Sequence, residues 1–397
     1  MSAPVADDVT VAELEEDPYP TYAKLRRDAP VCFIPAVGLW FLTRWADVVA
    51  AAEDRVRFPA SSVTSPLDRT LGGRSVLTVD GEEHARMRAP MEATLRPKLL
   101  ETHAPATVEG IANELLEDLV PRGEAELMSA FCEPFAVLTL AEVIGLPPLP
   151  AATLMRWFHD IAAGTSNYEA DPAKQALADR TAAEVDETLR PRFAELLQEP
   201  DGSMISDMLH AEAGDLGARL ASLMPSLKLA LIGGLQEPAH GLGTTVVGLL
   251  GDERQRDAFV ADPAGLARKA TEEAIRWISP IGTQGRAAGP GVTVAGVEIP
   301  EGEPVGIMVP SANRDEDAFG PHADRFDLGR ARHAHAAFGF GGHFCVGHHL
   351  ARIQMRTGIR LLFERLPNLR LEPGRWPVFR GWEYRGPASL PVRWDPP

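Results

Sequence analysis

The sequence predicts one mainly helical domain with a small β portion, and three observations carry that prediction. Most of the 397-residue chain falls into segments whose apolar residues recur three and four apart, the period of an amphipathic helix. Alternating or short apolar runs of strand length occur in few places, near the N-terminus and in the last third. No internal repeat or low-complexity segment divides residues 1–397, and the 34 prolines are scattered, which reads as loops within one fold.

In order, Pro18 to Arg27 reads as a helix entered through Asp17-Pro18, since a proline in the first turn loses no hydrogen bond. Val31 to Pro35 and Leu39 to Thr43 form a hairpin around Val37-Gly38, and Trp45 to Glu53 is a short helix. Arg57 to Asp80 lacks periodicity and is rich in Ser, Thr, Gly and Pro; a long irregular stretch inside a domain is usually functional. A helix opens at Asp80-Gly81 and places His84 and Arg88, four apart, on one face. Helices follow at Pro105 to Leu119, Phe131 to Ile144 and Ala151 to Ala163. The pattern breaks over Gly164 to Lys174 and resumes from Ala178 to Leu197. Leu220 to Leu250 is the longest apolar helical stretch. Inside it Pro238 removes a bond to the Gly234 carbonyl and, with Gly233 and Gly234, opens a groove in mid-helix. Another helix carries Glu273 and Arg276, at a spacing that by itself marks no more than a common ion pair. Val292 to Ile299 is a hairpin turning at Ala295-Gly296, a final long helix begins at or just after Cys345, and Trp382 to Trp394 is a last β segment.

Net charge is −17, from 39 basic and 56 acidic residues, which disfavours nucleic acid as a partner because phosphate binding needs a basic face. The three cysteines, Cys32, Cys132 and Cys345, are far apart and odd in number, against a disulfide framework and in keeping with a reducing cytoplasm. The acidic N-terminus lacks the basic start and apolar core of a signal peptide. No apolar run approaches the roughly 18–20 residues that a membrane span needs. A cytoplasmic protein with no membrane partner is expected.

The chemistry concentrates in Phe338-Gly339-Phe340-Gly341-Gly342-His343-Phe344-Cys345-Val346-Gly347-His348-His349-Leu350-Ala351-Arg352. Glycines let the backbone turn tightly and approach a large flat object. A cysteine at the start of a helix faces free N–H groups and the positive end of the dipole, which favour thiolate. A thiolate on such a loop suits heme iron as an electron-donating axial ligand. Two plainer readings compete. A lone cysteine is often a small buried hydrophobe, and His343, Cys345, His348 and His349, with His333 and His335 upstream, could suggest zinc. Zinc, however, requires neither the Phe-Gly-x-Gly before the cysteine nor the Gly-x-x-Leu-Ala-Arg after it.

At every fixed position the stretch resembles the heme-binding signature of the cytochrome P-450 family, Phe-Gly-x-Gly-x-His-x-Cys-x-Gly-x-x-Leu-Ala-Arg. The resemblance implies a single-domain fold enclosing heme b between the helix of 220–250 and the helix after Cys345. Cys345 would be the iron ligand, with Phe338, Gly339 and Gly347 in the heme cradle. His84, Arg88, Arg286 and His343 would meet the propionates, and Glu273, Arg276 and Arg325 would form a buried structural triad. The implied reaction is oxidation of an organic substrate by O2 and two electrons from a ferredoxin or flavodoxin with its reductase, since no flavin or iron–sulfur motif is present. Arg86, Arg352 and Arg356 mark a docking face for that donor. In the family the irregular stretch before Asp80 lies over the heme, and the break at 164–174 is a lid.

One departure stands out. Where the family carries an acid and an alcohol beside the oxygen site, this chain has Gln236 and Glu237; using Thr244 or Thr245 instead puts Gly243 where the acid belongs. Glu237 and Gln236 are the expected catalytic pair, with Glu237 moving protons. The run Gln-Glu-Pro-Ala-His-Gly resembles a branch that includes aromatic O-demethylases and enzymes coupling tryptophan-containing cyclodipeptides. The expected pocket residues are Leu71, Thr165, Gly233, Ser279 and Tyr384, replacing a phenylalanine clamp by a wider, more polar pocket. That favours indole coupling, with O-demethylation or hydroxylation of a small aromatic substrate as the alternative. A peroxide-driven enzyme using Glu237 as base, and a heme sensor or electron carrier, are the readings from other classes.

Overall fold

A continuous helical rod organises the molecule: the helix Leu216–Leu235, a π-helical turn Gln236–His240 and the helix Gly241–Leu250. The computed structural model describes residues 4–60 and 66–396. Leu220, Leu223, Leu227, Leu231, Leu235, Leu242, Val246 and Leu249 are all buried, so the rod is wrapped by other elements rather than displayed on the surface. Its length and composition would suffice to cross a bilayer, contrary to the expectation that no run comes close. Packing gives it another role, because Lys228 on the rod pairs at 2.9 Å with Asp186 of the helix Pro172–Gln198. A further helix, Pro97–Leu119, packs on the final helix, His348–Arg365, to form the other half of the core.

The fold is mainly helical with a small β portion, as expected. Four strands form the largest sheet, in the order Val31–Ile34, Leu39–Leu42, Pro304–Met308, Thr283–Ala287. The first pair is the predicted hairpin, with Gly38 at φ +66° in its turn. Trp40 lies opposite Val305 in a parallel register, and Val305 opposite Arg286 in an antiparallel one, so the sheet fixes where Arg286 stands. The Ala295-Gly296 turn joins the short strands Thr293–Val294 and Val297–Glu298. The terminal β segment begins slightly before the expected residues, with Val378–Arg380 pairing Gly386–Ser389, and Pro391–Arg393 joins a separate three-stranded sheet.

Several boundaries differ from expectation. Two short helices, Pro4–Asp7 and Val11–Glu16, precede the one at Pro18–Asp28; the second is held by a Thr10–Glu13 capping box. The stretch after Arg57 contains the helix Pro66–Leu71, and residues 61–65 of it lie outside the described residues. The helix expected at Pro105 begins at Pro97 and carries Pro105 inside it. The break between the helices Ala151–Thr165 and Pro172–Gln198 narrows to 166–171. The last long helix starts at His348, three residues beyond Cys345.

Candidate functional site

The loop before Cys345 is shaped by close approaches. Gly339 (φ +71°) sits where a Cβ would come within 2.1 Å of Gln284 Nε2, and Gly341 (φ +67°) where one would meet the Ala52 carbonyl at 2.8 Å. Only glycine satisfies both space and φ there. Phe338 is buried, and its carbonyl accepts from the Cys345 N–H at 2.8 Å.

Because the helix starts after Gly347, the sulfur rests on a turn rather than in a first helical turn, and the expected thiolate does not follow from the dipole. Burial, reinforced by Glu237, pushes the Cys345 thiol up to about 12, against the lowering pull of the Gly347 N–H, Arg88 and Arg352. A cation bound at the sulfur supplies the missing stabilisation, since metal ligation deprotonates a thiol outright.

Cys345 opens onto a cavity walled by Phe338, Val346, Gly347 and Leu350 below and by Gly233, Gly234, Glu237 and Pro238 of the rod above. Among the described residues two buried donors have no partner: His84 Nε2, on a ring beside cavity-lining His343, and Arg286 Nη2, on a side chain that lines a neighbouring cavity. His343 Nε2 meets Asp80 Oδ1 at 2.9 Å, and its ring lies 4.3 Å from that of His84, tilted by 50°. Arg88, which also lines the cavity, donates to the Phe344 carbonyl at 2.7 Å and pairs with Glu92 at 2.5 Å. Burial lowers Arg286 to about 10 and His84 to about 4; neighbouring His343 and Arg88 add to the fall of His84. Unpaired buried donors of this kind require anionic partners. An apolar slot, a sulfur on one wall and free donors at one edge fit the iron, ring and two carboxylates of heme b.

The histidines that suggested zinc are occupied separately. His335 bonds Glu272, His349 bonds Glu101 and His348 bonds Arg352. Among the described residues no group of three or more His, Cys, Asp or Glu is arranged around a metal.

On the opposite wall the predicted groove is the π-turn. Glu237 is buried there, and burial pushes its carboxyl up to about 8, the direction expected. The Gln236 side chain lies outside the described residues. Thr245 donates to the Gly241 carbonyl at 2.7 Å, and neither it nor Thr244 lines the cavity, which favours Glu237 as the residue facing the site.

A second cavity adjoins the first through Leu77, Leu229, Gly233, Ile281 and Thr283. Thr165, Gly233 and Tyr384 line it, with Thr165 Oγ1 and the Tyr384 hydroxyl 2.8 Å apart. Leu71 and Ser279 do not reach it. Leu71 is fully buried in the main core and lends its carbonyl to Lys228, while Ser279 accepts from Asn313 at 2.7 Å. Sequence reasoning missed Tyr168, Thr283 and Glu383 on this wall, because no local pattern marks a turn that meets a strand about 100 residues away.

The buried triad has a different third member. Glu273 pairs with Arg276 through two contacts of 2.8 Å, and the third side chain is Arg330, 2.9 Å from Glu273 Oε1. Arg325 contributes its carbonyl to Arg276, at 2.8 Å, while its side chain is exposed. The docking arginines are likewise engaged: Arg86 with Glu212 at 2.7 Å, Arg352 with Glu272 at 2.5 Å and over the Phe338 ring, and Arg356 loosely with Glu101 at 3.8 Å. Arg352 is therefore a structural residue, and Arg356 is the least committed of the three.

A family model described as Cytochrome P450 matches residues 265–373, the segment running from the Glu273–Arg276 helix through Cys345. The chain is 31% identical to Cytochrome P450 107B1 of Saccharopolyspora erythraea over 95% of each chain. It is 29% identical to the 6-deoxyerythronolide B hydroxylase of the same organism, covering 97% of this chain and 99% of that one. The crystal structure of CalO2 superposes with a TM-score of 0.87 at 26% identity, over 99% of both chains. Matched along almost its whole length, and built around a cavity that fits the cofactor, the chain belongs to the cytochrome P450 family of heme b monooxygenases.

Proposed function

We propose that this monooxygenase removes one hydrogen atom from each of two molecules of a tryptophan-containing cyclodipeptide and joins the two through an indole ring. Heme b, ligated by the Cys345 thiolate, supplies activation of O2 when bound. Phe338, Gly339 and Gly347 cradle it, and His84, Arg88, Arg286 and His343 hold its propionates. Two electrons from a ferredoxin or flavodoxin, two protons from water and two hydrogen atoms from the substrate balance reduction of O2 to two waters. Glu237 keeps its proton up to about pH 8 and gives and takes it at its carboxyl beside the oxygen site. The protein is placed in the cytoplasm, where its donor resides.

The observation carrying the substrate reading is the lining of the second cavity. Apolar Leu229 and Ile232 stand beside two polar pairs, Thr165–Tyr384 and Thr283–Glu383, and no phenylalanine lines that cavity among the described residues. Such a wall suits a substrate with indole rings and ring amides better than a small aromatic ether. The name of one relative, a 6-deoxyerythronolide B hydroxylase, supports work on a natural product. Addition of cyclo(L-Trp-L-Trp) should shift the Soret band toward high spin and yield a coupled product with a ferredoxin system. Shifts with methoxyarenes alone, and loss of methyl as formaldehyde, would replace this reading by O-demethylation; full turnover with hydrogen peroxide and no ferredoxin would replace the electron route.

A further inference from the structure

Glu383 is a buried carboxyl in the wall of the substrate cavity, and among the described residues no basic side chain pairs with it. It is 6% exposed and sits in the turn after the strand Val378–Arg380. The turn is locked to the start of the Thr283–Ala287 strand: the Gly282 N–H donates to the Glu383 carbonyl at 2.9 Å, and Ile281 bridges Tyr384. The side chain therefore has a fixed place.

Its contacts are with donors that carry no charge. The Thr283 N–H reaches Oε2 at 3.1 Å and the Thr283 hydroxyl lies 2.8 Å from Oε1, while Tyr168 stands on the same cavity wall. No basic side chain pairs with it among the described residues; Arg385, two residues on, turns away to the Gly381 and Glu16 carbonyls and to Asp17. Burial accordingly raises the carboxyl to about 7, with neighbouring Glu15 adding to the rise. These two donors, both on Thr283, leave a carboxylate's acceptor capacity unfilled.

A purely structural role would need an acceptor for Thr283, which the oxygen of a neutral amide supplies without a charge. A carboxyl adds a buried charge, costly unless a donor from outside meets it. That donor enters by the cavity, which Glu383 lines with Tyr168, Thr283 and Tyr384 and which adjoins the chamber of Cys345 and Glu237.

We propose that Glu383 is a specificity-determining residue that anchors the substrate through a nitrogen-borne hydrogen, accepting from a ring amide, an indole N–H or a protonated amine. The amide and indole forms deepen the cyclodipeptide reading and rest on it; the amine form does not.

The test is spectral titration of the holoenzyme and its Glu383→Gln variant with three probes: cyclo(L-Trp-L-Trp), the same molecule methylated at both lactam and both indole nitrogens, and tryptamine. The amide of the variant keeps an acceptor for Thr283 but turns an NH2 toward the ligand. A retained carbon monoxide difference spectrum and melting temperature confirm that the variant folds. Affinity for at least one N–H probe should fall roughly tenfold or more in the variant, while the fully methylated probe, weak on the wild type, changes little. If tryptamine alone binds and is lost with Glu383→Gln, the cyclodipeptide reading fails and the anchor stands. Equal affinities in the two proteins, an equal loss for methylated and unmethylated probes, or no shift of the wild type with any probe overturns the anchor.

Discussion

Glu237 occupies the position at which the account is most exposed to a single substitution. Its carboxyl is buried on the π-turn and raised to about 8, so it enters neutral solution protonated and able to donate. Glu237→Gln removes that exchangeable proton while keeping the shape. The heme spectrum and substrate shift should persist, product formation should drop roughly a hundredfold, and reducing equivalents should appear as peroxide. Unchanged coupling of electron use to product would make Glu237 a kink residue only. Cys345 and Glu237 were legible in the sequence because each sits inside a local run, a Gly-rich signature and a proline-broken helix. Arg330 was not. Spacing offers Arg325 and Arg330 about equally, and the choice is made by which side chain folds back onto Glu273. Arg276→Ala, which leaves Glu273 buried, should cost about 3–5 kcal/mol and Arg330→Ala about 1–3 kcal/mol. Arg325→Ala, which keeps the carbonyl that Arg276 uses, should stay within about 0.5 kcal/mol. Urea denaturation of the three variants checks the order; a costly Arg325→Ala beside a neutral Arg330→Ala would restore the triad inferred from sequence.

Among the elements, those with long apolar periodicity were found in the sequence, with their ends at Leu119, Ile144 and Leu250, and several of their starts were not. Pro105 looks like a helix start because proline is tolerated in a first turn, yet the helix begins at Pro97, another proline with equal claim, and continues through Pro105. The final helix starts at His348, after a loop in which the Cys345 N–H is spent on the Phe338 carbonyl. The junction that presents Glu383 was invisible for a different reason: it joins residues about 100 apart by backbone contact. At Gly282 a Cβ would lie 1.9 Å from the Trp382 carbonyl oxygen, and backbone cannot rotate aside as a side chain can. Gly282→Ala should therefore destabilise the holoenzyme by about 1–3 kcal/mol or more and weaken substrate binding with it. Calorimetric melting checks this, and an unchanged melting temperature would show that the two segments are not locked.

Across the whole molecule, the rod of 216–250 and the loop before the last helix face each other over one cavity, and the fold places complementary chemistry on its sides. The Thr283–Ala287 strand brings Arg286, the helix Gly81–Leu95 brings His84 and Arg88, and the loop brings His343 and Cys345. These residues are dispersed over more than 260 positions of sequence, so their convergence was available in advance only through resemblance to a family, not through periodicity. Left alone, the arrangement carries two unpartnered buried donors and a thiol raised to about 12, which a thiolate-ligated heme b with two carboxylates would satisfy together. Ligation at Cys345 is thus the claim on which the rest depends. Its most direct measurement is the absorption spectrum of the dithionite-reduced protein under carbon monoxide, for the wild type and for Cys345→Ala. The account predicts the red-shifted Soret band of thiolate-ligated heme in the wild type and its loss in Cys345→Ala. Persistence of that band in Cys345→Ala, or its absence from the heme-loaded wild type, would contradict it.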